Sequence, residues 1–158
     1  MSFNNSISLQ HRIMAIFSKT CEYAIRAVLY IAHKSTLGIK VGIKDIAAGI
    51  DSPELYLAKI LQDLSRKGLI NSVKGPNGGF YISDTSLARP LRDIVEAVDG
   101  NALFTGCALG LKQCSAVNPC PLHNQFKAIR DQIYQVLNVN TIGTFNEELV
   151  NGILSLKK

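Results

Sequence analysis

Residues 53–83 read PELYLAKILQDLSRKGLINSVKGPNGGFYIS. Apolar side chains recur at helical spacing through the first half of this stretch, at Leu57, Ile60, Leu61 and Leu64. The pattern predicts an amphipathic helix from Pro53 to Lys67 that Gly68 ends. Two short runs, Leu69–Lys74 and Phe80–Ser83, flank a glycine-rich turn at residues 75–79. We therefore predict a helix followed by a two-stranded β-hairpin.

Two further helices are predicted before this stretch and one after it. Phe17–His33 carries apolar residues at helical spacing, with Ser18 suited to cap its start. Lys44–Gly49 is a short helix, and Pro90–Val98 predicts another that Gly100 ends. The order is typical of a winged helix-turn-helix, although any small α+β domain with a hairpin is an alternative. The predicted fold class is mainly α with a small β-hairpin wing, extended by a long dimerisation helix.

The helix that begins at Pro53 has the two faces that a helix needs to enter the major groove of DNA. Its outer face is polar and partly basic, and its inner face is apolar. Residues 1–83 also hold ten Lys and Arg against five Asp and Glu, which places the positive charge in this half. The candidate DNA-binding residues are Ser52, Tyr56 and Lys59 around the helix and Lys74 and Asn77 at the hairpin tip.

Three of the four cysteines, Cys107, Cys114 and Cys120, fall within fourteen residues, and His123 follows Cys120 by three. Thiolates are soft ligands that suit zinc, copper(I) or iron–sulfur clusters. The gaps of six and five residues are wider than the tight pairs of zinc sites, which favours a cluster. Zinc and redox-active thiols remain alternatives, while Cys21 is expected to be a small buried residue.

Residues 122–137 predict a long helix with a narrow apolar seam. The seam consists of Leu122, Phe126, Ile129, Ile133 and Leu137. Such a helix outside a compact domain pairs with a copy of itself, so we expect a homodimer; the alternative is that it packs back on its own domain. The resulting boundaries are a disordered tail at 1–16, a winged domain at 17–84, a connecting helix at 85–100, a cysteine loop at 101–122, a dimerisation helix at 123–140 and a C-terminal segment at 141–158.

Composition narrows the class of protein. The 158 residues contain no apolar run long enough for a membrane span, and the polar opening Met1–Gln10 lacks the pattern of a secretory signal. These features predict a cytoplasmic protein without a membrane partner. No Ser/His/Asp set or pair of carboxylates stands out, so we do not expect an enzyme. Met14 is a second candidate start of the chain.

Four stretches together resemble the Rrf2 family of winged-helix regulators, in its IscR, NsrR and RirA types. They are FSKTCEYAIRA at 17–27, LSRKGLI at 64–70, KGPNGGF at 74–80 and IVEAVDG at 94–100. The resemblance covers about residues 15–145, and a GPxGG wing followed by a three-cysteine loop is its most specific part. CymR-type members lack the cysteine set.

The resemblance implies a homodimer that binds a palindromic operator on double-stranded DNA. It also implies that Cys107, Cys114 and Cys120 hold a [2Fe-2S] or [4Fe-4S] cluster. The fourth ligand would be His123, as in the IscR type, or the partner subunit's Glu22, as in the NsrR type. The first cysteine gap is one residue longer than in the IscR type, and Ala58 stands where that type has a glutamate, which leaves the operator open.

We therefore predict a DNA-binding transcription regulator, in its simplest form a repressor. It would sense iron–sulfur status, redox state or nitric oxide through the cluster, whose gain or loss would shift the two reading helices relative to each other. Two alternatives remain open at this point. One is a DNA-binding dimer with thiol or zinc sensing and no cluster, and the other is a small iron–sulfur redox protein.

Overall fold

The computed structural model describes residues 15–157, so most of the tail predicted at 1–16, including Met14, lies outside the described residues. The described helices are α1 (Lys19–Thr36), α2 (Ile43–Ile50), α3 (Glu54–Arg66), α4 (Asp84–Leu87), α5 (Arg92–Asp99), α6 (Ala102–Thr105), α7 (His123–Val139) and α8 (Asn146–Val150). The two strands are β1 (Asn71–Val73) and β2 (Gly79–Tyr81). No helix among residues 15–157 is both long and apolar enough to cross a bilayer.

Helix α1 runs through the centre of the domain that also contains α2, α3 and the β1–β2 hairpin, which we call the reading domain. Ser18 caps it as predicted, because its hydroxyl accepts a hydrogen bond of 3.0 Å from the Cys21 backbone N–H. The helix ends three residues beyond the predicted His33. The hydroxyls of Ser35 and Thr36 donate back to helix carbonyls four residues earlier, which keeps these polar residues within the helix.

The turn between α2 and α3 is the turn of the helix-turn-helix. Asp51 adopts a left-handed conformation with φ of 52°, which ends α2 and redirects the chain. Pro53 then precedes the first turn of α3. Helices α1, α2 and α3 pack on one another around a core of fully buried side chains, which includes Val28, Ile31, Ile46, Ile50, Leu57, Leu61 and Leu64.

The wing is an antiparallel hairpin in which Asn71 pairs with Tyr81 and Val73 pairs with Gly79. Val41 adds a one-residue bridge on the other side of Phe80, with two backbone hydrogen bonds of 2.8 and 3.0 Å. The first strand is shorter than predicted. The Leu69 N–H bonds the Leu64 carbonyl at 3.0 Å, so this residue closes the end of α3 and its side chain enters the core.

Helix α5 lies within the same core, because Ile94 and Val95 are fully buried and the helix packs against α1. Residues 85–100 therefore do more than connect the wing to the cysteine loop. The short α4, which Ser83 caps, was not predicted. Helix α8 was not predicted either; it packs on α1, and the Asn146 amide donates to the Thr36 hydroxyl at 2.8 Å.

The segment between α5 and α8 leaves the domain and returns to the same place. The Leu91 N–H donates to the Asn140 carbonyl, and the Ile142 N–H donates to the Arg89 carbonyl, both at 2.9 Å. This two-bond ladder joins the chain just before α5 to the chain just after α7. The cysteine loop and the long helix are thereby held at a fixed base on the reading domain.

Candidate functional site

The outer face of α3 is the first part of the candidate site. Its core stripe turns Leu57, Ile60, Leu61 and Leu64 inward. Side chains spaced four, three and four residues apart lie on the opposite face, at Leu55, Lys59, Gln62 and Arg66. All four are exposed. The predicted reader Lys59 is therefore free to contact a partner, and Leu55 and Gln62 are neighbours that the sequence analysis missed.

Tyr56 and Ser52 lie beside this face. The Tyr56 hydroxyl forms a hydrogen bond with the Thr20 hydroxyl, and its ring meets the Tyr23 ring edge to face at a centroid distance of 5.7 Å. These contacts fix the Tyr56 side chain against α1. Ser52 is half-buried in the turn before α3, and its hydroxyl has no hydrogen-bond partner among the described residues.

The wing tip presents Lys74 and Asn77, both exposed. The turn between them is tight because Gly78 approaches the backbone closely: a Cβ there would lie 2.1 Å from the Val73 carbonyl oxygen. Gly79 has φ of +142°, a conformation that other residues rarely adopt. The glycines of the GPxGG sequence thus set the shape that carries Lys74 and Asn77.

The candidate ligands in and next to the cysteine loop lie in two pairs, one of two sulfur atoms and one of a sulfur and a nitrogen. The Sγ atoms of Cys107 and Cys120 are 3.8 Å apart. The Sγ of Cys114 lies 3.2 Å from Nδ1 of His123, at the start of α7. All three cysteines are free and half-exposed, while His123 is buried, with 7% of its surface exposed. No three His, Cys, Asp or Glu side chains among residues 15–157 converge on a single-ion site.

Positive charge and backbone donors surround these sulfur atoms. The Arg130 guanidinium donates from Nη2 to Cys114 Sγ at 3.2 Å. Backbone N–H groups of Leu111 and Leu109 lower the pKa of the Cys107 thiol, which favours the thiolate that metals bind. Cys21 is different in kind, because burial raises its pKa to about 12. It is the inert core thiol that was predicted.

Glu22 lies at the start of α1 and forms an ion pair of 3.0 Å with Lys19. It makes no hydrogen bond to the three loop cysteines within the chain. A role for this residue as a cluster ligand would therefore have to come from the partner subunit's Glu22.

The predicted seam of α7 divides into two parts. Leu122, Phe126 and Ile129 are exposed, and Ile133 is half-buried against the core. Leu137 is only 6% exposed, because the end of α7 returns to the reading domain at residues 140–142. Leu137 therefore has almost no surface left for a second copy, which corrects its assignment to the seam.

Arg130 is a further site residue that was missed. A signal for it exists in the sequence, because Arg130 follows His123 by seven residues and seven residues are close to two helical turns. Leu55 likewise precedes Lys59 by four residues on the outer face of α3. Helical periodicity thus predicts the helix face on which each residue lies, but only the structure shows which groups surround its side chain.

Known proteins resemble this chain over most of its length. A family model described as Rrf2, iron-dependent transcriptional regulator, matches residues 17–148. A putative HTH-type transcriptional regulator from Aquifex aeolicus is 33% identical over 138 residues, which are 86% of this chain and 92% of the relative. The regulator IscR of Escherichia coli is 30% identical over 130 residues, 82% of this chain and 76% of that protein.

Solved structures share the fold. CymR, the global cysteine regulator of B. subtilis, has a TM-score of 0.68 at 21% identity and covers 85% of this chain and 98% of its own. IscR of T. potens has a TM-score of 0.66 at 20% identity, with 87% and 90% covered. The predicted mainly α, winged-helix fold is confirmed. Proteins of this kind bind DNA and regulate transcription, and they are not enzymes. The chain therefore belongs to the Rrf2 family of transcriptional regulators.

Proposed function

We propose that this chain regulates transcription as a homodimer whose affinity for a palindromic operator depends on an iron–sulfur cluster. Cys107, Cys114 and Cys120 would hold the cluster, with His123 as the fourth ligand. The observation that carries the proposal is the arrangement of these donors in two pairs, Cys107 with Cys120 and Cys114 with His123.

The donor set fits such a group. With metal–sulfur bonds of about 2.3 Å, two thiolates on one tetrahedral metal lie roughly 3.8 Å apart. The 3.8 Å between Cys107 and Cys120 matches this separation. Each iron of a [2Fe-2S] cluster takes two protein ligands, and imidazole replaces thiolate in some of these clusters. Two pairs of donors therefore favour [2Fe-2S] over [4Fe-4S] and over a single zinc ion, for which no three donors converge among the described residues.

When bound, the cluster would supply reversible one-electron chemistry and sensitivity to oxidants and nitric oxide. The chain itself would couple the conformation of the cysteine loop to the position of α3, the reading helix. Tyr134 of α7 meets the Phe104 ring edge to face at 5.4 Å and accepts a hydrogen bond from Arg92 of α5. Because α5 packs on α1 and α1 packs on α3, these contacts support a physical route from the loop to α3.

The DNA side of the proposal rests on α3 and the wing. Lys59 on the outer face of α3 and Lys74 and Asn77 at the wing tip would contact base edges and phosphates, with Ser52 and Tyr56 at the side. The exposed Phe126 and Ile129 of α7, with Leu122 just before the helix, would meet their copies in the dimer. Two reading helices would then bind half-sites about one helical turn apart, or a multiple of that distance.

The deciding experiment on the cluster is anaerobic reconstitution, followed by iron, sulfide and visible absorption measurements. The wild-type chain is expected to bind two irons and two sulfides per chain, and Cys114→Ala to bind almost none. Cys21→Ala is the matched control, because this fourth cysteine is buried in the core and should leave the cluster intact. A colourless, iron-free wild-type protein would overturn the proposal.

The deciding experiment on DNA is binding to a selected duplex at several salt concentrations. Lys59→Ala should weaken binding about tenfold, as expected for one lost contact. Lys127→Ala is the control, since Lys127 is also an exposed lysine but lies on α7. If both variants bind as the wild type does, α3 does not read DNA through Lys59.

A second candidate function is a thiol sensor without a cluster. It is favoured by the 3.8 Å separation of the Cys107 and Cys120 sulfur atoms and by the lowered pKa of the Cys107 thiol. Hydrogen peroxide would accept two electrons and both thiol protons as the two sulfur atoms form a disulfide, and it would leave as two molecules of water. Iron-free protein whose DNA affinity changes with peroxide would select this function. The other alternative, a small iron–sulfur redox protein, is wrong, because the family consists of transcription regulators.

A further inference from the structure

Leu55 stands out on the reading helix because it is 91% exposed in the first turn of α3. A single exposed leucine means little by itself, since much of any protein surface is apolar. The position of Leu55 on the helix indicates a role outside the core. Helix α3 already has a complete inner stripe of four buried apolar residues, so Leu55 is not needed for the core.

The side chain lies in the row formed by Leu55, Lys59, Gln62 and Arg66. This row is directly opposite the core stripe, at the centre of the face that would enter the major groove. Ala58, the neighbour three residues further on, is too small to screen it. The row thus combines two cations and an amide, which suit phosphates and base edges, with one apolar group at its amino-terminal end.

The major groove has one apolar feature, the C5-methyl group of thymine. We propose that Leu55 packs on the C5-methyl of one thymine in each operator half-site and makes the protein specific for thymine there. The inference rests on the proposed function, in which α3 enters the groove. A second copy of the chain is a poorer occupant, because the other three members of the row are polar and the exposed apolar seam lies on α7.

The test removes the methyl group from the DNA and the side chain from the protein. An operator is first selected from random duplexes by the full-length chain, in its cluster-loaded and cluster-free forms. Each thymine is then replaced singly by deoxyuridine, and the Kd is measured by fluorescence anisotropy. At one thymine per half-site, removal of the methyl group is expected to weaken wild-type binding roughly fourfold. A loss of this size is expected when one methyl-sized group is no longer buried.

Leu55→Ala should weaken binding to the unmodified operator and should no longer respond to deoxyuridine at that position. Leu154→Ala is the matched control, because Leu154 is an exposed leucine outside α3 and should keep the wild-type response. Lys59→Ala should bind more weakly while keeping the response to the methyl group. This pattern would assign the methyl contact to Leu55 alone.

The outcomes separate the inference from the function beneath it. Salt-dependent binding with no deoxyuridine effect, or a Leu55→Ala variant that still responds, overturns the inference and leaves the regulator intact. A Leu55→Ala variant with a changed oligomeric mass also overturns it, since Leu55 would then serve a contact between copies. Failure to bind any duplex removes the proposed function, and the inference falls with it.

Discussion

The thiol of Cys114 has two nitrogen neighbours, and both come from α7. Nδ1 of His123 and Nη2 of Arg130 each lie 3.2 Å from its sulfur. The imidazole is a metal ligand when neutral, whereas the guanidinium stays protonated and acts as a fixed charge. One sulfur is therefore placed between a candidate ligand and a group that stabilises negative charge. The two roles can be separated by substitution.

Replacing Arg130 tests its role as a fixed charge. Arg130→Met removes a positive charge and a hydrogen bond from the Cys114 sulfur, both of which stabilise the reduced, more negative cluster. The reduction potential of the reconstituted cluster is expected to fall, as measured by anaerobic titration with optical detection. Lys127→Met loses the same charge on the same helix and should leave the potential nearly unchanged. Equal potentials in all three proteins would contradict a role for Arg130.

His33 gives a prediction about acid stability. It is buried in α1, where its Nδ1 lies 3.3 Å from the Leu29 carbonyl and its ring meets Tyr30 edge to face. Burial lowers the pKa of His33 below its ordinary value. Below about pH 6.5 the unfolded chain therefore takes up a proton that the folded chain resists. The free energy of unfolding should fall as the pH drops through this range, and the fall should level off below the folded-state pKa.

The check is urea unfolding at pH 7.5 and 5.5 for the wild type and His33→Phe. Phenylalanine keeps an aromatic ring in place without a titrating group. The wild type should lose more stability between the two pH values than the variant does. Identical losses would show that other groups cause the pH dependence.

At the scale of elements, the sequence predicts the long helices and misses short ones. Helices α1, α3 and α7 each carry several turns of apolar periodicity, so their existence and faces follow from pattern. Helices α4, α6 and α8 have four or five residues, too few for a period to appear. The predicted first strand begins too early, because Leu69 and Ile70 are residue types that favour strands. In the structure both are buried against the core after α3. The candidate ligands of the cysteine loop can be proposed from spacing, but their arrangement in two pairs depends on tertiary contacts.

The wing yields a prediction at this scale. A Cβ at residue 78 would lie 2.1 Å from the Val73 backbone oxygen, so Gly78→Ala must reshape the turn. We expect a stability loss of about 1–3 kcal/mol, as for other overpacked sites, and weaker operator binding because Lys74 and Asn77 move. Gly42→Ala is the control, because its Cβ would meet nothing closer than 3.8 Å. Unfolding curves and Kd values that match the wild type for Gly78→Ala would contradict this account of the wing.

At the scale of the whole molecule, α7 serves two surfaces. Its last turns pack on the reading domain through Leu137, while its first turns expose Phe126 and Ile129 beside the cysteine loop. A dimer formed by these first turns would place the two cysteine loops near the interface. Changes in either loop would then act on the distance between the two reading helices, which fixes the half-site spacing.

The dimer can be tested with one charge. Ile129 is 47% exposed on α7, and Ile129→Glu would place a carboxylate in the proposed interface. The variant is expected to elute as a monomer in size-exclusion chromatography with light scattering, and to bind the operator at least tenfold more weakly because it holds one half-site. Ile39→Glu changes an equally exposed isoleucine, 45% exposed, between α1 and α2 and should stay dimeric. A dimeric Ile129→Glu protein would exclude this surface.

The short ladder that joins Arg89 to Ile142 and Leu91 to Asn140 has an evolutionary consequence. Because the excursion begins and ends at neighbouring residues, insertions or deletions in its loop can leave the ladder itself in place. Mutation can therefore lengthen, shorten or replace the stretch that we propose to bear the ligands, while the part that we propose to recognise the operator stays under separate selection. After gene duplication, such an architecture allows the resulting proteins to respond to different chemical signals.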